Sequence, residues 1–186
     1  YHAVLVVDEA HTTGVYGQNG AGLVCALGLE EKIPIRIHTF GKAMGAHGAA
    51  VVGFKTLVEY LVNFARPFIY TTAMGLHSVV NIHEAYLYLA KHSELQDNIA
   101  QKIHLFRALL KENSALSDSK SPIQALLATG NEEAKAKSKL LQDKGFDIRP
   151  ILSPTVKIGS ERLRVCLHTY NTIHELENLA KILRHF

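Results

Sequence analysis

A lysine at position 42 lies in the run Thr39-Phe40-Gly41-Lys42-Ala43-Met44-Gly45-Ala46-His47-Gly48. Glycines at 41, 45 and 48 let backbone approach a ligand closely there. A lysine amine attacks carbonyl carbons once its pKa is drawn below the free value of about 10.4. Upstream, Asp8-Glu9-Ala10-His11 follows an apolar run at residues 3–7. An acid at the end of a buried strand, with a histidine three residues on, can bind a cationic ring nitrogen and a phenolate oxygen. Near the other end, Arg162 and Arg164 alternate with Leu163 and Val165, so both arginines share one strand face. A guanidinium facing a pocket clamps a carboxylate bidentately. Each motif also has a plainer counterpart: a surface lysine on a turn, a strand-end cap, and a solvent face on an edge strand.

Two other chemistries compete. Asp-Glu-Ala-His after an apolar strand is also the Walker B box of one helicase class, where the acids hold Mg²⁺ and water. That class needs a phosphate loop, Gly-x-x-x-x-Gly-Lys-Ser/Thr. Around Gly41-Lys42, Arg36 stands where the first glycine should be and Ala43 where Ser/Thr should be. The 11 histidines invite a metal site, yet no two are three or four residues apart, so no helix carries a two-histidine ligand pair. Neither Cys25 nor Cys166 has a Cys-x-x-Cys partner. No metal is expected.

These residues need elements to hold them. Residues 3–7 are apolar throughout, as in a strand buried on both faces of a parallel sheet. Residues 35–39 and 49–54 read as two more strands. Thr56 with Glu59 forms a capping-box pattern opening a helix over 57–65, which stops before Pro67. Residues 68–72 read as a fourth strand. The pattern is helical over 75–111, with two helices meeting near His92 and Ser93/Gln96 capping the second. Residues 113–121 are polar and serine-rich, as in a loop. Then come a strand at 123–129, a helix over 132–144 capped by Asn131 and stopped by Gly145, and a strand at 162–169. Thr172 with Glu175 opens a last helix to about residue 183. The expected architecture is α/β: a large-domain portion over 1–92 with a parallel or mixed sheet, then a small α+β domain over 93–186. Sites in such sheets lie at the carboxyl ends of strands.

Composition sets outer bounds. The 186 residues are 47% hydrophobic and 20% charged, which is ordinary for a packed domain. A net charge of +3 is too small to suggest a nucleic-acid surface. No apolar run approaches the roughly 18–20 residues of a membrane span. Two cysteines and no signal-like segment favour a reducing, cytoplasmic setting. The first residue is Tyr1, and residue 3 is already inside an apolar run, so the chain is expected to be the later part of a longer polypeptide.

The motifs occur in one order: Asp8-Glu9-Ala10-His11, then Gly14, Gly17 and Gly20, Thr39-Phe40-Gly41-Lys42, Phe64-Ala65-Arg66-Pro67-Phe68-Ile69-Tyr70-Thr71-Thr72, Pro154-Thr155-Val156, and Arg162-Leu163-Arg164. Together they resemble the α-oxoamine synthases, pyridoxal 5′-phosphate (PLP) enzymes of the aspartate-aminotransferase fold, fold type I. The resemblance spans the whole chain, which corresponds to roughly the second half of such an enzyme and is expected to be inactive alone. It implies a cytoplasmic acyltransferase condensing an amino acid, with L-alanine expected, and an acyl thioester, with a pimeloyl donor expected, and releasing CO₂. Other activities of the same family, those of glycine C-acetyltransferase, serine palmitoyltransferase or 5-aminolevulinate synthase, are the alternatives. It further implies that Lys42 bonds the cofactor aldehyde and shuttles the α-proton. Asp8 would keep the pyridine nitrogen protonated, His11 would bond its phenolic oxygen, and Thr39 would contact its phosphate. Arg164 would bind the amino-acid carboxylate. Thr71 and Thr72 would reach the phosphate of a neighbouring subunit, giving a homodimer with its site at the interface. Three departures stand out: Ala21 where members often carry arginine, Ser153-Pro154-Thr155-Val156-Lys157 in place of a Pro-Pro-Thr-Val-Pro stretch, and His47 where a small residue is common.

Overall fold

The computed structural model describes residues 3–186, in two compact units that divide after Gln96. In the first unit, β1 (Val6–Asp8), β2 (Ile35–Thr39) and β3 (Ala49–Val52) form a mixed sheet in the order β1-β2-β3. β1 and β2 run parallel, with Asp8 opposite Ile37, whereas β3 returns antiparallel to β2. The segment between β1 and β2 carries a short helix, α1 (Leu23–Ala26), and the chain then continues through α2 (Lys55–Phe64) and α3 (Leu76–Lys91). A small core gathers Phe40, Met44, Ala46 and Leu89, with Tyr86 meeting Phe40 edge-on at 6.0 Å between ring centroids.

α4 (Glu94–Leu109) starts two residues past His92, so two helices do meet there. The second unit adds β4 (Ile123–Leu127), α5 (Asn131–Asp143), β5 (Arg149–Ile151), β6 (Arg162–Cys166) and α6 (Ile173–Leu183). Its sheet is antiparallel in the order β4-β6-β5. Leu163 and Val165 on the inner face of β6 are 1% and 2% exposed. They join Phe106, Leu110, Leu126, Leu141 and Leu183 in one core. The α6 cap forms as expected: Thr172 accepts from the Glu175 amide, and the Glu175 carboxylate accepts from the Thr172 amide.

Four expectations need correction. The apolar run at 3–7 is not buried on both faces. The strand begins only at Val6, and Val4, Leu5 and Val6 are 67%, 59% and 55% exposed, because β1 pairs on one side only among the described residues. Residues 68–72 are not a strand. Pro67 has no amide hydrogen, the amides of Phe68 and Ile69 both bond the Ala65 carbonyl at 2.8 Å, and Tyr70 takes a left-handed φ of 62°. The helix expected from Thr56 starts one residue before it, at Lys55, with Phe54 at its cap and no side-chain cap bond. At α5 the cap position is Gly130, while the Asn131 side chain is spent on both backbone groups of Ser153.

Candidate functional site

The carboxyl ends of the parallel strands β1 and β2 bring four of the expected residues to one end of one sheet. Asp8 closes β1, and its Oδ1 accepts the Ala10 amide at 2.8 Å, which leaves Oδ2 without a partner among the described residues. His11 follows in the turn, exposed. Thr39 closes β2. Its hydroxyl is buried and has no hydrogen-bond partner among the described residues. A buried hydroxyl without a partner costs free energy unless something fills the role. Lys42 stands three residues beyond, exposed, and its side chain has no hydrogen bond or ion pair among the described residues.

The lysine loop is set by backbone bonds. Phe40 donates to the Gly48 carbonyl at 2.9 Å, Ala46 to Phe40 at 2.8 Å, and Gly45 to Lys42 at 3.0 Å. Phe40, Met44 and Ala46 point into the core, so the loop turns Lys42 outward. The glycine segment after His11 lies against it. Gly14 has a left-handed φ of +82°, and a Cβ there would stand a tight 3.0 Å from Met44 Sδ and 3.1 Å from Ala43 Cβ, so glycine suits that approach.

Beneath these groups lies a buried polar framework built on Glu9, which the motif contains without a role of its own, and on His38, which lies outside every motif. Glu9, with no exposed surface, accepts the amides of Leu23 and Val24 at 2.8 Å each, one on each carboxylate oxygen, and the Thr12 hydroxyl as well. Burial pushes its pKa up, but the Thr12 hydroxyl, the Val24 and Leu23 amides and the nearby His38 bring it below the ordinary carboxylate value. His38 is 6% exposed, and its Nδ1 lies 2.8 Å from the Thr13 hydroxyl. Burial lowers the imidazole pKa first; Glu9 opposes this and Arg36 adds to it. The Gln96 side chain donates to the carbonyls of Val15 and Gly17, at 2.9 and 3.0 Å, pinning the middle of the glycine segment.

In this framework both Glu9 oxygens accept backbone amides, so the second acid of Asp8-Glu9-Ala10-His11 serves to fold the segment that follows it. No group of three or more metal-ligating side chains occurs among the described residues, and no helix is long and apolar enough to cross a membrane.

The remaining expected residues belong to other elements. Thr71 and Thr72 are exposed in the turn after α2, and the Thr71 hydroxyl donates to its own chain at Phe68, 2.5 Å away. Arg164 belongs to the second unit. It is exposed on β6, opposite Arg149 on β5 and Ala125 on β4. It helps to line a cavity of about 540 Å³ with Arg149, Cys166, His168, Tyr170 and Glu175. Arg162 shares its face, but its Nε is spent on the Ser160 carbonyl at 2.9 Å.

A family model for aminotransferases of class I and II matches residues 1–183. An 8-amino-7-oxononanoate synthase from Emericella nidulans is 38% identical over 185 residues, covering 96% of this chain and 45% of its own. The crystal structure of an 8-amino-7-oxononanoate synthase from Francisella tularensis superposes with a TM-score of 0.86 at 28% identity, over 97% of this chain and 53% of that one. A high-resolution structure of SPT with PLP superposes with a TM-score of 0.89 at 25% identity, over 99% of this chain and 47% of that one. The chain spans about half the length of the curated relatives it matches.

Proposed function

Because the chain belongs to the aminotransferase class I and II family, we propose that the protein carrying it is a PLP-dependent acyltransferase. In this proposal it condenses an amino acid with an acyl thioester and releases CO₂ and a thiol. The observation that carries it is the grouping of Asp8, Thr39 and Lys42 at the ends of two parallel strands, with the Thr39 hydroxyl buried and unpartnered. That donor set fits PLP: a carboxylate for a ring nitrogen, a hydroxyl for a phosphate, and an amine for an aldehyde. The relatives named 8-amino-7-oxononanoate synthase support L-alanine and a pimeloyl thioester as the substrates. Another α-oxoamine synthase pairing is the alternative.

When bound, PLP supplies an aldehyde for amino groups and a ring that draws electrons away from the α-carbon. Asp8 Oδ2 holds a proton on the ring nitrogen, which keeps the ring electron-poor. His11 hydrogen-bonds the ring oxygen. Thr39 donates to a phosphate oxygen, giving its buried hydroxyl a partner. Lys42 would hold the cofactor through its amine, and its Nζ would move the α-proton. Arg164 binds the amino-acid carboxylate through paired N–H donors. Thr71 and Thr72 serve the phosphate of the second subunit of a homodimer.

Borohydride reduction of the whole protein with PLP, followed by peptide mapping, should place the pyridoxyl group on Lys42; a label on another lysine refutes the assignment. A panel of amino acids and acyl thioesters, read by CO₂ and free-thiol release, then identifies the substrates.

A further inference from the structure

The geometry points to His38 as a positioning residue for the proposed cofactor contacts, acting through Thr13 and Glu9 to hold the ends of β1 and β2 together. This rests on the PLP site proposed above. His38 sits between Ile37 and Thr39 on β2, where side chains alternate between faces. Its imidazole turns to the face opposite the Thr39 hydroxyl. There it meets Thr13, itself 1% exposed. The Thr13 hydroxyl donates its one proton to the Glu9 carbonyl at 2.7 Å. It can therefore only accept from His38, so Nδ1 carries the hydrogen in this bond. Glu9 in turn donates its amide to the Ile37 carbonyl at 2.7 Å. The bonds thus run from Ile37 to Glu9, from Glu9 to Thr13, and from Thr13 back to His38.

Asp8 is attached to one side of this ring and Thr39 to the other. Each is the direct chain neighbour of a ring member, so fixing Glu9 and His38 fixes the backbone from which both contacts project. A buried imidazole on an inward strand face is costly unless its polar atoms are engaged. An aliphatic residue would fill that face without such a demand. The charged groups nearest His38 are Glu9 from β1's end and Arg36 on the same face of β2.

The test uses the whole protein loaded with PLP. Thr13→Val keeps the side-chain shape and removes the hydroxyl, and His38→Leu removes the ring. His38→Asn returns an N–H close to the Nδ1 position. The readouts are PLP dissociation, the pH midpoint of the absorbance of Lys42-bound cofactor, and the melting temperature without cofactor. Thr13→Val and His38→Leu should each weaken PLP retention about tenfold, the scale of one lost hydrogen bond. Both should move the absorbance midpoint, and the double variant should add little. His38→Asn should recover PLP retention. If His38→Leu fails to fold, Thr13→Val decides alone. Lowered melting temperatures with unchanged PLP retention and midpoint would overturn the assignment, leaving a purely structural network. A wild-type protein that takes no label on Lys42 removes the proposed function, and this assignment with it. A labelled wild type with unaffected variants removes this assignment alone.

Discussion

Replacing Glu9 by glutamine should cost the first unit about 3 kcal/mol, and the figure follows from the bonds at that carboxylate. Oε1 accepts from Val24 and Oε2 from Leu23, both at 2.8 Å, with Thr12 also donating to Oε2. Glutamine offers one oxygen and one NH₂. With the oxygen turned to Val24, the NH₂ faces the Leu23 amide, donor against donor. A buried donor left unsatisfied costs about 1–3 kcal/mol, and turning the surviving charged bond into a neutral one costs about 1 kcal/mol more. The Thr12 hydroxyl can rotate to accept, so it adds little. A loss of ~3 kcal/mol lowers the folded population relative to the unfolded by about two orders of magnitude.

The acid limb of the stability curve should change with it. The folded carboxyl lies below its ordinary value near 4.5. Its stabilisation is therefore complete above that value and is lost as pH falls through the lower folded value. Glutamine has no such limb. The Gln variant should also lower the His38 pKa further, since Glu9 is the group that raises it. Urea unfolding of the whole protein and its variant at pH 7 and pH 4, with amide exchange read at Leu23 and Val24, checks each part. A stability change below about 0.5 kcal/mol, or unchanged protection at both amides, would refute the reasoning.

Other outcomes follow from the same site. Asp8→Asn should keep PLP bound but lower turnover at least about a hundredfold, because an amide cannot hold the ring nitrogen protonated; steady-state rates at fixed cofactor check it. Arg164→Ala should raise the KM for the amino acid and spare that for the acyl donor, as initial-rate kinetics with each substrate varied will show. Thr72→Ala and Lys42→Ala on separate chains should complement. Mixing the two inactive proteins under subunit exchange should restore part of the activity, and no recovery would reject the role in trans. The folded imidazole of His38 lies below its ordinary 6.5, so it should stabilise the fold above that value and progressively less as pH falls towards the folded pKa; thermal melts across pH 5–7 read this.

Elements whose signals were local could be read from the sequence. Ile35–Thr39 showed as a strand because five residues of β-type composition end at a glycine loop, and α6 because its Thr172–Glu175 box is complete within four residues. β5 was missed: Arg149–Ile151 is only three residues long and contains Pro150, which argues against a central strand. Proline is tolerated there because β5 is the edge of its sheet. Residues 68–72 misled in the other direction, since aromatic and β-branched side chains outweighed Pro67 and the turn at Tyr70. Within the candidate site, Asp8, His11, Thr39 and Lys42 stood out by motif. Glu9 lies in the same motif, but its structural role does not show there, because the backbone amides it binds lie 14 and 15 residues away and meet it only after the segment folds back. A hint was present at Gly22, whose φ is +106°; a Cβ there would fall 2.7 Å from the Glu9 carboxyl carbon. His38 offered another, as an imidazole among the isoleucines of β2.

The open side of β1 bears on how the chain behaves in concentrated solution. Val4, Leu5 and Val6 are exposed, and the strand's outer row of N–H and C=O groups has no partner among the described residues. Natural sheets guard such rows with lysine, proline or a bulge, yet across residues 3–8 the one charge is Asp8 at the end. Handled as residues 1–186 alone, two molecules could lay these rows against each other, joining their sheets β1 to β1 and closing the pair, since both open rows are then used. A lysine in place of Leu5 would act as a gatekeeper against that pairing while leaving the cluster at Asp8, Thr39 and Lys42 untouched.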